Sequence, residues 1–233
     1  MQTRPRIAVL VSIFAVLALV AGCGSSGSSD APLPDAATLI KDSDQTTRKQ
    51  QSVHLELTVA GTIPELPIET LSGDLTNAPA VAAQGKATIL AFGQTFKDVE
   101  FVVADGNLFG ALTPGGGFTD FGPAAEIYDV SAILSPDVGL ANVLANFTEP
   151  KAEGRENVGG VDTVKITGKV SGEAVNGIAP QLAATGAVPA TVWIKEDGDH
   201  ELIQAKLEPS AGNSVQMTMT EWGKSVTVTK PAV

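Results

Sequence analysis

Alternation of apolar and polar residues is the main pattern of the chain beyond residue 52. In residues 53–59 every second side chain is apolar, which is typical of a strand that buries one face. Asp105-Gly106 is a strong hairpin signal, since both residues tolerate positive φ in a tight turn. Short links of this kind join nearly all of the runs and predict antiparallel neighbours. About eleven strands are predicted, over residues 53–59, 71–75, 87–92, 99–104, 108–112, 152–158, 161–170, 189–195, 201–207, 215–221 and 225–229.

Helical patterns interrupt the strands in three places. Asp35 is a suitable N-cap for a helix that continues to about residue 51, because its carboxylate can accept a backbone N–H of the first turn. Between residues 123 and 147 the apolar positions follow helical spacing and predict two short helices, the second beginning near Pro136. Residues 171–178 predict one or two further turns. The expected fold class is therefore α+β, an antiparallel sheet with a few helices.

The first 22 residues have the pattern of a secretory signal peptide. Arg4 and Arg6 precede an apolar run over residues 7–21 that is broken only by Ser12. As a helix at about 1.5 Å per residue, this run spans roughly 22 Å, which is shorter than the ~30 Å hydrocarbon core of a bilayer. We therefore interpret it as the core of a signal peptide rather than as a stable membrane anchor.

Cys23 directly follows this segment and is the only cysteine of the chain. The preceding Val20-Ala21-Gly22 resembles a bacterial lipobox, in which the cysteine receives a diacylglycerol and becomes the first residue after cleavage. We expect residues 1–22 to be removed, Cys23 to be acylated, and residues 23–34 to form a flexible tether. This anchor predicts a location at the extracytoplasmic side of the cell membrane or in the cell wall. The alternative is an ordinary thiol beside a plain secretory cleavage site.

The absence of repeats indicates the number of domains, and the net charge excludes some classes of binding partner. No internal repeat and no second linker follow the tether, so residues 35–233 are expected to form a single domain. The full chain has 15 basic and 26 acidic residues and a formal charge of -11. Loss of the signal peptide leaves 13 basic against 26 acidic residues, or -13. Such a surface does not fit nucleic acid and is repelled by anionic lipid headgroups, so acyl chains on Cys23 would have to hold the protein at a membrane.

Residue types that carry catalysis are scarce. The histidines are His54, on the polar face of the first strand, and His200, beside a hairpin turn, and we interpret both as solvated side chains. Two histidines without cysteine partners do not make a zinc site, and the spacing of a calcium loop is absent from the sequence. No serine lies in a nucleophile elbow. The sequence therefore predicts no catalytic residue, metal or cofactor, and a hydrolase is the weakest interpretation.

Small and adaptable apolar residues are common on the predicted strand faces. Small side chains on one face of a curved sheet, covered by an apolar helix pair, would leave room for a ligand, and methionine is an adaptable lining residue. The same pattern also fits a filled core, in a structural or adhesive lipoprotein that works through its surface. Strand alternation and helix faces assign to an apolar pocket Leu57, Val59, Ala87, Ile89, Ala91, Phe101, Val103, Leu108, Leu112, Leu134, Leu140, Leu144, Val164, Ile166, Val192, Ile194, Met217 and Met219.

Seven longer segments of the mature chain carry a family resemblance. They are PLPDA (32–36), LSGDLT (71–76), DFGPAA (120–125), GLANVLANF (139–147), KAEGR (151–155), VPATVWI (188–194) and GNSVQMT (212–218). With these segments the chain resembles the mycobacterial lipoproteins grouped as LppX–LprAFG over essentially the whole mature length.

The resemblance implies an antiparallel half-barrel wrapped around helices, similar to the carriers of the Gram-negative lipoprotein-localisation system, with a large apolar cavity. It implies a membrane-tethered carrier, not an enzyme, that holds triacylated glycolipids (phosphatidylinositol mannosides, lipomannan and lipoarabinomannan) and triacylglycerol. Such a carrier would move them from the inner membrane toward the outer envelope. The resemblance also implies a major-facilitator efflux transporter of the inner membrane as a partner.

Overall fold

The structure is a computed structural model that describes residues 31–91 and 93–233. Residues 32–233 form one unit by their internal contacts. The expected signal peptide, Cys23 and most of the expected tether lie outside the described residues, as does residue 92. None of the helices in the described ranges is both long enough and apolar enough to cross a membrane.

The described chain contains five short helices, one 3₁₀ turn and eleven strands, and the helices lie before and between runs of two or more strands. The helices are α1 (Ala36–Thr47), α2 (Ala124–Ile127), α3 (Ser131–Leu134), α4 (Leu140–Ala145) and α5 (Gly172–Ile178), and a 3₁₀ turn covers Pro180–Leu182. The strands are β1 (Ser52–Ala60), β2 (Ile68–Thr76), β3 (Ala82–Ala91), β4 (Gln94–Ala104), β5 (Asn107–Ala111), β6 (Thr119–Pro123), β7 (Phe147–Val158), β8 (Val161–Val170), β9 (Val188–Lys195), β10 (Leu202–Ser210) and β11 (Asn213–Thr220).

One antiparallel sheet contains all of these strands. Its order is β6-β5-β4-β3-β2-β1-β11-β10-β9-β8-β7, with β6 and β7 at its two edges. Neighbours in the sheet are consecutive in the chain except where β1 pairs with β11 and joins the two halves. Short turns join most of these consecutive neighbours, as expected for antiparallel pairs, whereas residues 171–187, which include α5, join β8 to β9. The predicted class, an eleven-stranded antiparallel sheet with a few helices, is confirmed.

Alternation places one face of the sheet, its inner face, against the helices. In β1, Val53 and Leu55 are buried, whereas Glu56 and Thr58 are exposed on the outer face. The buried side chains of the inner face form one core with apolar side chains of the helices, and α1 packs on α4 over this face. The α1 helix begins as predicted, because the Asp35 carboxylate accepts a hydrogen bond of 2.8 Å from the Thr38 N–H.

The helical segment after residue 123 differs from its prediction. It contains three short helices instead of two, and Pro136 lies between α3 and α4 rather than at the first position of a helix. The second predicted helix begins instead at Leu140, after Gly139 as its N-cap. Gly139 lies so close to preceding backbone carbonyls that a Cβ would contact those of Ala132 and Ile133. No side chain fits at this N-cap without a shift of the backbone, which accounts for the glycine at position 139.

The membership of the sheet also differs from the prediction at one strand. Residues 225–229 are not a strand, although their valines alternate. Val228 packs instead against the small buried cluster around Phe109, and Lys230 pairs with Asp105 at 3.3 Å. The strand that completes the sheet is β6, which pairs with β5 at an edge and shows no alternation in its sequence.

Candidate functional site

An apolar cavity of about 90 Å³ lies between the inner face of the sheet and the helical segments. Strands β1, β2, β3, β4, β10 and β11 supply the sheet wall. The facing wall comes from the loop before β2, from residues 128–133 and from residues 178–182. The lining residues are Leu55, Leu57, Leu66, Ile68, Leu71, Leu75, Ala83, Phe101, Tyr128, Val130, Ile133, Ile178, Ala179, Gln181, Leu182, Leu207, Val215 and Met217.

Cross-strand register assembles the sheet wall. Leu57 lies opposite Met217 of β11 on one side and opposite Leu71 of β2 on the other. Directly opposed residues of an antiparallel pair point to the same face, so these three side chains form a continuous apolar row. Leu55 lies two residues before Leu57 and adds a second row to the same face, since side chains repeat every two residues along a strand.

The Phe101 ring covers a gap in this wall that two glycines leave. Gly73 of β2 pairs with Gly85 of β3, and Gly85 pairs with Phe101 of β4. A Cβ at either glycine would lie 3.0 Å from a carbon of the Phe101 ring. The ring therefore occupies the space that side chains at these two positions would fill, and it completes the sheet wall there.

A hydrogen bond joins the two helical parts of the facing wall. The Tyr128 hydroxyl, in the link between α2 and α3, donates to the carbonyl of Ile178 at 2.7 Å. Ile178 is the last residue of α5, where carbonyls have no N–H partner within the helix. Burial, with a smaller contribution from the neighbouring Asp129 carboxylate, raises the pKa of the Tyr128 hydroxyl far above its usual value, so it stays protonated as a donor.

Gln181 is the other residue with a polar side chain among those that line the cavity. It lies in the 3₁₀ turn that follows α5. Its amide oxygen is buried and accepts no hydrogen bond from the described residues.

On the outer face of the sheet a histidine, an aspartate and a serine lie close together, although His54 is far from Ser72 and Asp74 in the sequence. His54 Nδ1 lies 2.7 Å from an Asp74 carboxylate oxygen, and Ser72 Oγ lies 3.4 Å from His54 Nε2. They border an open groove of about 420 Å³. The expectation that His54 is merely solvated is wrong, because the pairing of β1 with β2 sets His54 opposite Asp74.

Ser72, His54 and Asp74 follow one another in the same way as the three residues of a hydrolytic triad, but the backbone around the serine differs from that of a hydrolase. Ser72 lies in the middle of β2, between the paired strands β1 and β3, whose ladders use the backbone N–H groups of this part of the sheet. A hydrolase needs free N–H donors beside the nucleophile, as in the turn of a nucleophile elbow. The three residues are adjacent here because they occupy neighbouring positions of the sheet.

A fourth group, Glu221, approaches the same histidine. Ligand atoms of His54, Asp74 and Glu221 lie within 4.8 Å of one another, a spacing that would suit a metal ion. The ammonium of Lys224 lies 2.6 Å from Glu221. The hydrogen bond to Glu221 raises the pKa of Lys224, and the charge of Asp74 adds to this effect. The Lys224 ammonium therefore already pairs with one of these two carboxylates.

Comparison with known proteins identifies the family. The model of the LppX_LprAFG lipoprotein family matches residues 35–228. This chain belongs to that family. The lipoarabinomannan carrier protein LprG of Mycolicibacterium smegmatis is 61% identical over 237 residues, which cover 100% of both chains. The family resemblance expected from the seven sequence segments is confirmed.

Two crystal structures of LppX_LprAFG lipoproteins share the fold. LprF of Mycobacterium bovis has a TM-score of 0.78 and 30% identity, over 87% of this chain and 100% of its own. LppX of Mycobacterium tuberculosis has a TM-score of 0.65 and 29% identity, over 83% of this chain and 98% of its own.

The residues predicted to line a pocket are distributed between the cavity, the core and the surface. Leu57, Phe101 and Met217 line the cavity. Ile89 and Ala91 are half-buried near the end of β3, and Leu112 is exposed after β5. The others are buried or partly buried, and contact with a lipid stays a prediction for all of them: Val59, Ala87, Val103, Leu108, Leu134, Leu140, Leu144, Val164, Ile166, Val192, Ile194 and Met219.

The size of the cavity differs from the large cavity expected from the family. Ligand pockets in proteins typically have about 300–1,000 Å³. At about 90 Å³, the space between the two walls is too small for a lipid with several acyl chains. Such a lipid fits only if the walls separate.

Proposed function

We propose that this chain is a lipid carrier that holds the acyl chains of a lipoarabinomannan-type glycolipid or of triacylglycerol between the sheet and the helical wall. The observation that carries this proposal is the almost wholly apolar cavity at that position. The name of the LprG relative, a lipoarabinomannan carrier at 61% identity, supports glycolipid as the cargo. No covalent step is needed for this function.

The energetics of acyl chains explain the need for such a carrier. Each methylene kept from water contributes about 0.8 kcal/mol, so a chain of ~16 carbons represents on the order of 12 kcal/mol. A lipid of this kind leaves a membrane only when an apolar surface receives it. The rows around Leu57 and the ring of Phe101 offer that surface once the facing wall moves outward.

We also propose that acylated Cys23 anchors the chain at the extracytoplasmic side of the cell membrane, after removal of residues 1–22. Membership of a lipoprotein family supports this anchor. In this position the carrier would receive lipid from the inner membrane, with a major-facilitator efflux transporter as its partner. Crosslinking of the anchored protein in intact cells tests the partner, and recovery of no transporter would contradict it.

Lipid loading is the direct test of the carrier. A fragment of residues 32–233, which contains all of the described elements, is expressed in a mycobacterial host and analysed by native mass spectrometry with lipid extraction. We expect about one acylated lipid per protein. Leu57→Trp, which puts a large ring on the cavity wall, should lower loading at least fivefold. Thr58→Trp, the exposed neighbour on the outer face, is the matched control and should leave loading unchanged.

The alternatives give different results in the same experiment. A folded protein that carries no lipid and refuses added lipid would indicate a filled core and a function at the surface. A hydrolase that uses Ser72 and His54 would turn over lipid esters and lose this activity in Ser72→Ala. For the carrier, we expect Ser72→Ala to load lipid like the unchanged protein, and we expect no turnover.

A further inference from the structure

One residue of the otherwise apolar cavity lining carries a buried oxygen that has no partner in the described part of the chain. The amide oxygen of Gln181 is shielded from solvent and has no hydrogen-bond partner among the described residues. Buried polar atoms in proteins nearly always have a partner, because leaving one unpaired costs the energy of its lost hydration. An exception on a cavity wall therefore points to a group that belongs in the cavity.

The chemistry of that group follows from what the wall offers. The Tyr128 hydroxyl already gives its proton to the Ile178 carbonyl, so toward the cavity its oxygen has only lone pairs to offer. The free Gln181 oxygen is likewise an acceptor. A ligand complementary to both must donate, as an alcohol does. A carboxylic ester accepts hydrogen bonds but donates none.

We propose that Gln181 accepts a hydrogen bond from a free hydroxyl of the bound lipid, close to where its acyl chains are attached. The cavity then favours acylated lipids that retain an alcohol, such as a glycolipid or a diacylglycerol, over fully esterified triacylglycerol. This inference rests on the proposed carrier function and selects among its ligand classes. A site whose polar group expects a hydroxyl discriminates against analogues that lack one, because the buried acceptor is then left unpaired.

The test compares a lipid that keeps one free hydroxyl with a lipid in which a third acyl chain esterifies this hydroxyl, and the Gln181 variants separate the effect of the hydroxyl from that of the added chain. The full chain is reconstituted in phosphatidylcholine vesicles that contain a trace of photoactivatable diacylglycerol or of triacylglycerol with the same acyl chains, and crosslinking to the protein is measured. We expect diacylglycerol to label about tenfold more efficiently, the ratio expected for one hydrogen bond to a buried acceptor. Gln181→Met keeps the length of the side chain, removes the acceptor and should abolish the preference, so that the two lipids label the variant equally.

Controls separate the outcomes. Gln94→Leu, at an exposed position, should keep the preference. Gln181→Leu repeats the test with a second apolar side chain, and urea denaturation reports whether both Gln181 variants are folded. Equal labelling of the unchanged protein by both lipids, or a preference that persists in Gln181→Met, would overturn the role of Gln181 and leave the carrier standing. Absence of labelling with either lipid would overturn both.

Discussion

Tyr128→Phe removes one hydroxyl and thereby the bond that joins the two helical parts of the cavity wall. The tyrosine donates to the Ile178 carbonyl at 2.7 Å, and Ile178 is 2% exposed. A net hydrogen bond stabilises a protein by about 1 kcal/mol, and a buried acceptor left without a donor costs about 1–3 kcal/mol. We expect the free energy of unfolding at pH 7 to fall by about 1–3 kcal/mol.

The pH dependence of this difference gives a second, independent readout. The pKa of Tyr128 is raised in the folded protein, so above pH ~10 the unfolded chain loses its phenolic proton while the folded chain keeps it. The stability of the unchanged protein then falls by about 1.4 kcal/mol per pH unit relative to Tyr128→Phe. The stabilisation by the tyrosine is therefore fully present below pH ~10 and is lost above it.

Urea denaturation of both proteins measures this prediction at pH 7 and in steps from pH 9 to 11. A shift of the midpoint at constant slope reports stability alone. The chain has one tyrosine, so phenolate absorbance on unfolding follows this group without interference. A difference below about 0.5 kcal/mol at pH 7, or one that stays constant through pH 11, would refute the assignment of a buried, donating Tyr128.

Three further substitutions test other parts of the wall and sheet. Gly85→Ala brings a Cβ to 2.6 Å from a backbone atom and should cost about 1–3 kcal/mol in urea denaturation; Gly154→Ala, where the Cβ meets nothing within 4 Å, is the control. Ser171→Ala removes the N-cap of α5 and should lower the free energy of unfolding by about 1 kcal/mol, measured in the same way. Lys165→Met removes the main cause that holds the pKa of Glu156 below its ordinary value, so this pKa should rise in an NMR titration; an unchanged value would contradict the ion pair.

Local alternation predicted most of the sheet, because a strand that buries one face has an apolar side chain at every second residue. This prediction failed where the availability of a neighbouring strand, and not the alternation of the segment itself, determines whether the segment joins the sheet. Val226 and Val228 alternate as in a strand, yet their segment lies along the outer face, where Val228 covers Phe109. β6 forms at the edge beside β5 from a short segment with Gly122 and Pro123, because β5 offers a free edge for pairing. A short, mostly exposed strand at the edge of a sheet, such as β6, shows no apolar alternation from which it could be predicted.

The cavity was predicted in part for the same reason. Alternation found Leu57 and Met217, which lie on regular strands. At the end of β3 the register shifts between Ala87 and Ile89 and changes which side chains share a face, and Ile89 and Ala91 do not line the cavity. The sequence predicted that apolar helices after residue 123 cover the sheet, but it did not assign Tyr128 or Leu182 to the pocket, since they lie in a link and in a short 3₁₀ turn that have no periodic pattern. The one tyrosine of the chain, Tyr128, was the feature of the sequence that could have pointed to the facing wall.

The small size of the cavity is compatible with a carrier because of how its walls are built. The sheet wall is held by ladders on both sides of each central strand, whereas the facing wall consists of short helices and links joined by one Tyr128 hydrogen bond. Separating the walls leaves the Tyr128 bond intact, because both of its partners belong to the facing wall, but it breaks the bond of 3.2 Å that the Asn77 side chain, at the end of β2, donates to the Ser131 carbonyl. It also exposes apolar surface, and a bound acyl chain covers the same surface again. The Asn77 bond, about 1 kcal/mol, and the strain of the links then oppose loading. A chain of ~16 carbons brings on the order of 12 kcal/mol to offset them, so the facing wall is the part that should move when lipid enters.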